Sequence, residues 1–474
     1  GIVRIAVSTD RILKQIDDAT NSLIRNTVII AMIAVGIGIL GALLLATIIV
    51  IPIRKLVRGV ELIRDTEDKA ELESHVIDVR TRDELYTLAD VINQMTQGLV
   101  KAALASKELT VGKEVQKMFI PLGLNRSGSK GTTGKTETND VLFFGYYEGA
   151  KGVSGDYFDF EKIDDEHYAI IKCDISGKGV PAALIMVEVA TIFLNHFRSW
   201  SAKDMNQTLP RLVGTVNDLL EERGFKGRFA AFTVVILNVK SGICRVCHAG
   251  DNKLHMYDSV QQKLVMTEMP TSPAAGVFST SLVPNGFPQI PLKLKVGDVL
   301  LMFTDGLEEA NRVIRQADYQ PFYITKEEVD AGTYPPERLG DTVREEFEMS
   351  RINDLVNTIA HQGTFQLTKE RNPIPDEELT FDFSACEPST EHMVLGLVSV
   401  EKLFRIYADP TAGPDDRVQV DRKVDEFLKK YFRQYSRYFS HPLDLDPEGE
   451  YLYFTHIRED EQYDDLTILG IEKK

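Results

Sequence analysis

The apolar and polar positions divide this chain into three regimes. In the first, Thr27 to Ile53 holds no charged residue and is rich in Ile, Val, Ala, Leu and Gly. As a helix, about 27 such residues span about 40 Å, enough to cross a bilayer core with some tilt. In the second, Ile53, Leu56, Val60 and Ile63 recur at 3-4-3 spacing, and Leu85, Leu88, Ile92, Met95 and Leu99 repeat that spacing. Two short heptad helices flanking a polar connector, Asp65 to Asp83 with Leu72, Val76 and Val79, present seams that need partner helices. The helical pattern runs on from Thr96 to Phe119, with its register broken near Ser106 to Thr110 and resumed at Val111, Val115 and Met118. In the third, from Val141 to Phe303, short β-like apolar runs are mixed with helical stretches, a pattern that predicts an α/β sandwich.

The third regime centres on Tyr168 to Met186, YAIIKCDISGKGVPAALIM. Tyr168 to Cys173 reads as a strand covered on both faces. Ser176, Gly177 and Gly179 permit a tight turn, and Pro181 suits the start of a helix. Ala202 to Arg223 is a second expected helix, and Asn125 to Asp140, rich in Gly, Ser, Thr and Lys, reads as a loop. The stretch from Gly306 to Gln462 predicts helices at Arg344 to Ile359 and Val420 to Phe439, and polar, Pro-rich segments such as Asn372 to Glu377. An inserted subdomain is expected over about 364–448. Gly1 to Asp10 reads as a short strand leading into a polar helix.

Composition changes this picture little. With 474 residues, 43% hydrophobic and 26% charged, the chain has room for two or more globular domains. A formal net charge of −17 argues against non-specific nucleic-acid binding, so no nucleic-acid partner is expected. Four cysteines make no disulfide framework at this length. Cys244 and Cys247 form a CxxC in a strand-like run, where odd spacing points them to opposite faces, which reads as structural. The chain opens on Gly rather than Met, which suggests a piece of a longer protein whose N-terminal sensor is missing. Arg54, Lys55 and Arg58 after the apolar run favour a cytoplasmic C-terminal side, although Arg4, Arg11, Lys14 and Arg25 on the other side oppose that argument.

The candidate chemistry is carboxylate chemistry. Asp174 stands where the Tyr168 strand ends, and Asp156 in VSGDYFDF, Asp305 in FTDGLEEA and Asp464 in YDDLTILGI each meet an apolar β-like run. A carboxylate there costs free energy unless it is paired or bound to a cation. Asp alone is also a favoured turn residue, so each position taken singly has a structural explanation. Four carboxylates from four strand ends suit a two-metal site that clamps a phosphoryl group. Lys178 in the same turn either attracts phosphate or is a solvated turn lysine.

The order GDYFDF, CDISGKGVPAAL, FTDGLEEA, DDLTI resembles the PPM (protein phosphatase 2C) superfamily, in particular its bacterial SpoIIE/RsbU branch. RFAAFTVVILNVKSGICRVCHAGDN resembles that family's strand pair and Asn-Ala-Gly-His corner, and TSPAAGVF its following loop. The resemblance covers Leu142 to Ala310 and resumes at Glu461. It implies an α-β-β-α sandwich and two Mn²⁺ or Mg²⁺ ions. It also implies catalysis through Asp156, Asp174, Asp305 and Asp464, with these four and the Ile175 backbone carbonyl as metal ligands and Asp465 as an acidic neighbour. Ser154 replaces a family glycine, and Asp251 replaces the corner histidine; neither position is a ligand in the family. VGKEVQKMFIP resembles the helix that precedes this catalytic domain and often acts as its switch.

The heptad module, with Pro52 at its start and Asp83-Glu84 opening its second helix, resembles a HAMP domain, which implies a homodimer through HAMP and coiled coil. The first residues resemble the end of a Cache-type sensor. The expected organisation is therefore a sensor remnant at 1–26, a transmembrane helix at 27–53, HAMP at 54–103 and a switch helix at 104–122, then the phosphatase domain at 141–474. The reading is an inner-membrane phosphatase. Its catalytic domain is cytoplasmic, behind a single span on the C-terminal side of the sensor. The resemblance implies hydrolysis of phosphoserine or phosphothreonine on a protein substrate, with a STAS-type anti-sigma-factor antagonist as the favoured target. The alternatives are a non-catalytic HAMP-coupled scaffold with an inactive phosphatase fold and a nucleotide cyclase.

Overall fold

The computed structural model describes residues 9–124, 128–150, 152–225, 227–316, 320–367, 379–384, 387–408, 457–460 and 462–474. The expected strand before Asp10, the Pro-rich segment at 372–377 and the helix expected at 420–439 lie outside the described residues. The chain divides into two units, Gly1–Glu108 and Leu109–Lys474.

In the first unit, helix α1 (Thr9–Leu45) passes through a π-helical turn (Ala46–Val50) into α2 (Ile51–Asp65). Among the described residues, two helices are long and apolar enough to cross a membrane: this one, near the N-terminus, and α4 (Val180–His196), whose side chains belong to a core. Among the described residues of the unit nothing covers α1, whose Ile30, Ile33, Leu40 and Leu43 are all exposed. Helix α3 (Glu84–Lys117) starts where the Asp83 carboxylate accepts from the Leu85 amide at 3.1 Å, satisfying a free N–H of its first turn, and it runs unbroken through 106–110. A small core joins α2, the connector and α3 through Leu56, Ile77, Val79 and Ala89. Of the apolar connector residues expected, Leu72 and Val79 are buried but Val76 is 61% exposed. Ile77 goes inside instead, because the Asn93 side chain accepts from its amide at 2.8 Å and donates to its carbonyl at 3.1 Å, fixing the register.

The second unit is a four-layer sandwich. One sheet holds β3 (Tyr157–Lys162), β4 (His167–Ile175), β5 (Ala230–Asn238), β6 (Ile243–Ala249) and β9 (Gln289–Lys293), in that order. The other holds six strands. Their order is β1 (Thr133–Glu137), β2 (Val141–Glu148), the C-terminal strand Leu466–Lys473, β10 (Val299–Phe303), β7 (Lys253–Asp258) and β8 (Lys263–Glu268). Neighbours are antiparallel throughout. Strict alternation explains why the strands of the six-stranded sheet read as continuous apolar runs. Phe143, Leu300, Met302, Leu469 and Ile471 face a core shared with the other sheet, α4 and α5 (Met205–Arg223). Phe144, Val299, Leu301, Leu466 and Ile468 face a second core on the opposite side.

Helices Glu348–Ala360 and Thr390–Phe404 cover that opposite side, completing an α-β-β-α arrangement. The first of them was expected from Arg344, but Arg344–Glu346 is instead a strand paired with Asn311–Val313, so the helix begins at Glu348. Thr390–Phe404 falls inside the stretch expected as an insertion; its Met393, Val394, Leu397 and Val398 pack in the second core. The loop expected at 125–140 contains β1, because Thr133 to Glu137 pairs along the free edge of β2. Cys244 and Cys247 are both buried free thiols on β6, pushed up to about 12 by burial, which fits the structural reading.

Candidate active site

The four predicted aspartates sit at strand ends on one side of the sandwich. Asp156 immediately precedes β3 and is 1% exposed. Its carboxylate accepts from the Thr304 hydroxyl at 2.7 Å, and its amide donates to the Ser154 hydroxyl at 2.9 Å. Asp174 is the penultimate residue of β4, opposite Ala231 on β5. Asp305 follows β10, where it opens the short turn Asp305–Glu308. Asp464 precedes the C-terminal strand. The Ile175 carbonyl oxygen faces the same loop: a Cβ placed on Gly155 would meet it at 2.7 Å.

The turn after β4 is locked by its partners. Ser176 exchanges backbone bonds with Phe229: its amide donates to the Phe229 carbonyl, and its hydroxyl accepts the Phe229 amide hydrogen, each at 2.8 Å. Arg228 donates to the Ser176 carbonyl at 2.6 Å. Gly177 has φ of +83° and lies against the Arg228 guanidinium, so a side chain there would be both strained and obstructed. Gly306 is required for a different reason: a Cβ would collide with the Asp465 carbonyl oxygen, which is how closely the Asp305 turn approaches the last acidic pair.

Burial and mutual repulsion act together on Asp156, Asp174 and Asp305. Burial, then Asp174 and Asp465, raise Asp156 well above the ordinary carboxylate range. Burial, then Asp305, push Asp174 up to about 8. Burial and Asp464 raise Asp305, while its bond to Asp174, Lys172 and Lys178 pull it back. Like charges this close stay ionised only if a cation joins them. The donors are all oxygen, the kind that Mg²⁺ or Mn²⁺ takes, and a divalent cation would relieve the repulsion. Among the described residues, no three of these acidic side chains stand close enough together to make a ligand set by themselves. The donors fit a hard cation in kind.

Four further residues take part that were not singled out for these roles in the sequence. Asp465, 3% exposed, accepts from the Ala150 amide at 2.7 Å and the Gly155 amide at 2.9 Å, so it clamps the loop that carries Asp156. Gln116, in the last turn of α3, holds the same loop: its side chain accepts from the Ser154 amide at 3.0 Å and donates to the Ser154 carbonyl. Thr304 positions Asp156 as described. Lys172, 4% exposed on β4, pairs with Asp251. Burial pulls its pKa down, but Asp251, and beyond it Asp174 and Asp156, push it above the ordinary lysine value. The signal for Lys172 was a charge inside the apolar run YAIIKC. For Gln116 and Thr304 there was none, because their roles depend on contacts distant in sequence. Lys178 sits 3.1 Å from the Asp464 carboxylate and over the Tyr463 ring, so it is more than a solvated turn lysine.

A cavity of about 210 Å³ opens beside this centre, lined by Lys172, Asp174, Thr233, Asp251, His255 and Asp305, among others. His255 stacks on Phe303 with ring centroids 4.8 Å apart, and burial pushes it down to about 4, so it is neutral at pH 7.

Residues 164–358 match the family model described as stage II sporulation protein E (SpoIIE), a span that takes in Asp174 and Asp305. Over 240 residues, 44% of this chain, the sequence is 24% identical to Protein IcfG of Synechocystis sp.; the match covers 34% of that protein, so this chain spans about a third of its length. Among solved structures, the SiaA-PP2C domain of Pseudomonas aeruginosa is 13% identical, with 79% of this chain and 99% of that one covered and a TM-score of 0.40. The PP2C phosphatase domain of SpoIIE from Bacillus subtilis is 12% identical, with 73% and 65% covered and a TM-score of 0.33. The chain is thus similar, through its central 164–358 span, to proteins of the SpoIIE type.

Proposed function

We propose that this chain is a metal-dependent protein phosphatase that hydrolyses phosphoserine or phosphothreonine on a regulatory protein. The observation that carries the reading is the convergence of Asp156, Asp174 and Asp305 into one repelling group, with Asp464 adding to the repulsion felt by Asp174 and Asp305. These four side chains, with the Ile175 carbonyl, would hold two Mn²⁺ or Mg²⁺ ions. When bound, such ions supply an activated water near neutral pH and screen the phosphoryl oxygens. Thr304 and Asp465 keep Asp156 and its loop in place, and Lys178 beside Asp464 adds positive charge where a phosphate would approach. The hydrolysis adds water across the P–O bond. Phosphorus gains the water oxygen in line, and the seryl oxygen leaves with a proton, without a covalent phosphoenzyme.

The apolar helix would anchor the chain in the inner membrane with the phosphatase domain cytoplasmic, and the heptad module would be a dimeric HAMP unit. Supporting that reading are the bare apolar surface of α1 and the exposed Val60, Leu88 and Met95. Gln116, in the last turn of the long helix, holds the Ser154 backbone beside Asp156. A STAS-type anti-sigma-factor antagonist is the favoured substrate. The second reading, a non-catalytic scaffold, is favoured by one observation: the acids do not stand as a ready ligand set among the described residues. The experiment uses the full chain in detergent and follows Mn²⁺-dependent phosphate release from phosphoserine STAS proteins, against Asp174→Asn and Asp305→Asn. Turnover lost in both variants supports the phosphatase. Metal binding without turnover on any substrate supports the scaffold.

A further inference from the structure

Lysine is rarely buried, and the sequence gives no local reason for one at position 172. On β4, positions 172 and 174 point to the same face, so Lys172 and Asp174 share a wall of the cavity, opposite Thr233 and Ala231 on β5. Asp251, on the turn after β6, reaches Lys172 from across the cavity. The two occupy adjoining positions that a simple apolar pair would fill more cheaply, since burying an ion pair costs desolvation on both sides. What Lys172 gains in return is position: it stands two residues before Asp174 on the same face of β4, lining the same cavity.

The rest of the lining does not supply that charge. His255 is neutral at pH 7, its Nε2 has no partner among the described residues, and Thr233 offers only a hydroxyl. Lys253 lies on the exposed rim. Among the lining residues, Lys172 is therefore the buried cation, and Asp251 determines where it points.

We propose that Lys172 is a built-in counter-charge to the aspartate group, held off it by Asp251, and that the pair sets how tightly the group takes a divalent cation. Lys172 is a positioning residue that acts through the electrostatics of Asp174 and touches no substrate. With Asp251 present, the ammonium is partly spent on its own partner, so a cation competes for Asp174 on favourable terms. Without Asp251, the ammonium turns wholly to the cluster and opposes the cation. Without Lys172, the cluster is more negative and holds the cation harder. The two single changes thus act in opposite directions. A purely structural ion pair would instead weaken binding alike, or not at all, on losing either member.

This inference rests on the metal-dependent reading of the site. The test is calorimetric titration of Mn²⁺ alone into the full chain in detergent, comparing the unaltered protein with Lys172→Met, Asp251→Asn and the double variant. Loss of one full charge at this range in a partly buried site corresponds to about tenfold in affinity. Lys172→Met is expected to bind Mn²⁺ about tenfold tighter and Asp251→Asn about tenfold weaker. The double variant, which leaves no buried charge unpaired, stays folded and is expected to bind tighter than the unaltered protein. It keeps the test decisive if Lys172→Met alone fails to fold. Binding weakened in the double variant, or an affinity for Asp251→Asn within twofold of the unaltered protein, overturns the counter-charge. Absence of Mn²⁺ binding in the unaltered chain overturns the phosphatase reading and this inference with it, so the two failures are told apart by the control.

Discussion

Asp465 accepts the Gly155 amide hydrogen at 2.9 Å, so the start of the last strand holds the loop that presents Asp156 at the start of β3. Residues 310 positions apart thereby fix the spacing of two acidic strand ends. The same carboxylate takes the Ala150 amide at 2.7 Å, which makes it a two-point clamp. Replacing Asp465 with Ala strands two amides at the edge of a buried region, where an unpaired donor costs about 1–3 kcal/mol. The expected outcome is a fall in unfolding free energy of about 2–4 kcal/mol and loss of metal-dependent phosphate release. Asp465→Asn keeps an acceptor oxygen and should lose less stability. Chemical denaturation of the two variants checks this, and equal losses would sink the clamp.

Gln116 is the corresponding hold from the other side. Its amide group both donates to and accepts from the Ser154 backbone, two residues before Asp156, and Tyr147 reaches its oxygen at 3.5 Å. Gln116→Ala should cost about 1–3 kcal/mol and shift the Mn²⁺ concentration for half-maximal activity upward by about tenfold. Gln116→Glu, which accepts but cannot donate, should fall between. If Gln116→Ala lowers stability but leaves the metal dependence in place, the helix end is a structural plug rather than a control point.

The sandwich was legible because the β-like runs are pure signals: Val299 to Phe303 is apolar at every position, and burial on both faces is what that demands. The strand ends were legible for the same reason, since an Asp closing such a run stands out against it. The site's supports were not. Thr304 and Gln116 act on Asp156 through contacts distant in sequence, and no local pattern separates them from other polar residues; Asp465 stood out as the acidic neighbour of Asp464 but not as a clamp on the Asp156 loop. The β1 edge strand was hidden in a Gly-, Ser- and Thr-rich stretch because pairing with β2, rather than propensity, makes it a strand. Ile77 displaced Val76 from the small core through one side-chain amide, Asn93, which spacing arguments do not see.

Asp174 predicts a pH dependence of metal binding. Its folded pKa, near 8, lies far above the ordinary 3.8. Between those values the folded chain holds a proton that the unfolded chain has released. Stability without metal therefore falls as pH rises through this window. A cation must displace that proton, so Mn²⁺ binding should tighten from pH 6 to pH 8 and release protons. Titrations in buffers of different ionisation enthalpy measure the release directly. Affinity that does not change with pH would show that the carboxylate is already ionised.

His255 gives the opposite sign. Its pKa is pushed from 6.5 to about 4 by burial, so the unfolded chain takes up a proton as pH falls through 6.5 while the folded one does not. The stability this contributes is fully present above pH 6.5 and is lost as pH falls towards 4, by about 3 kcal/mol at most. Denaturation at a series of pH values should show a slope that His255→Leu reduces by close to one proton. Parallel curves for the two proteins would place the ring in solvent contact rather than behind Phe303.

The heptad helices carry the last prediction. Leu56, Ile77, Val79 and Ala89 make a core of four buried residues, too small to hold two helices and a connector without help. Along the same helices Val60, Leu88, Met95 and Leu99 are exposed, at 46%, 49%, 63% and 43%. Apolar side chains at heptad spacing lose about 25 cal/mol for each Å² left in water, so a second copy laid along this seam is favoured by several kcal/mol. Charges at Met95 and Leu99 would face each other across such a seam. Met95→Glu with Leu99→Glu should turn a dimer into a monomer, read by sedimentation of the detergent-solubilised chain. The seam reading fails if the unaltered chain is already monomeric at micromolar concentration, or if the double variant remains a dimer.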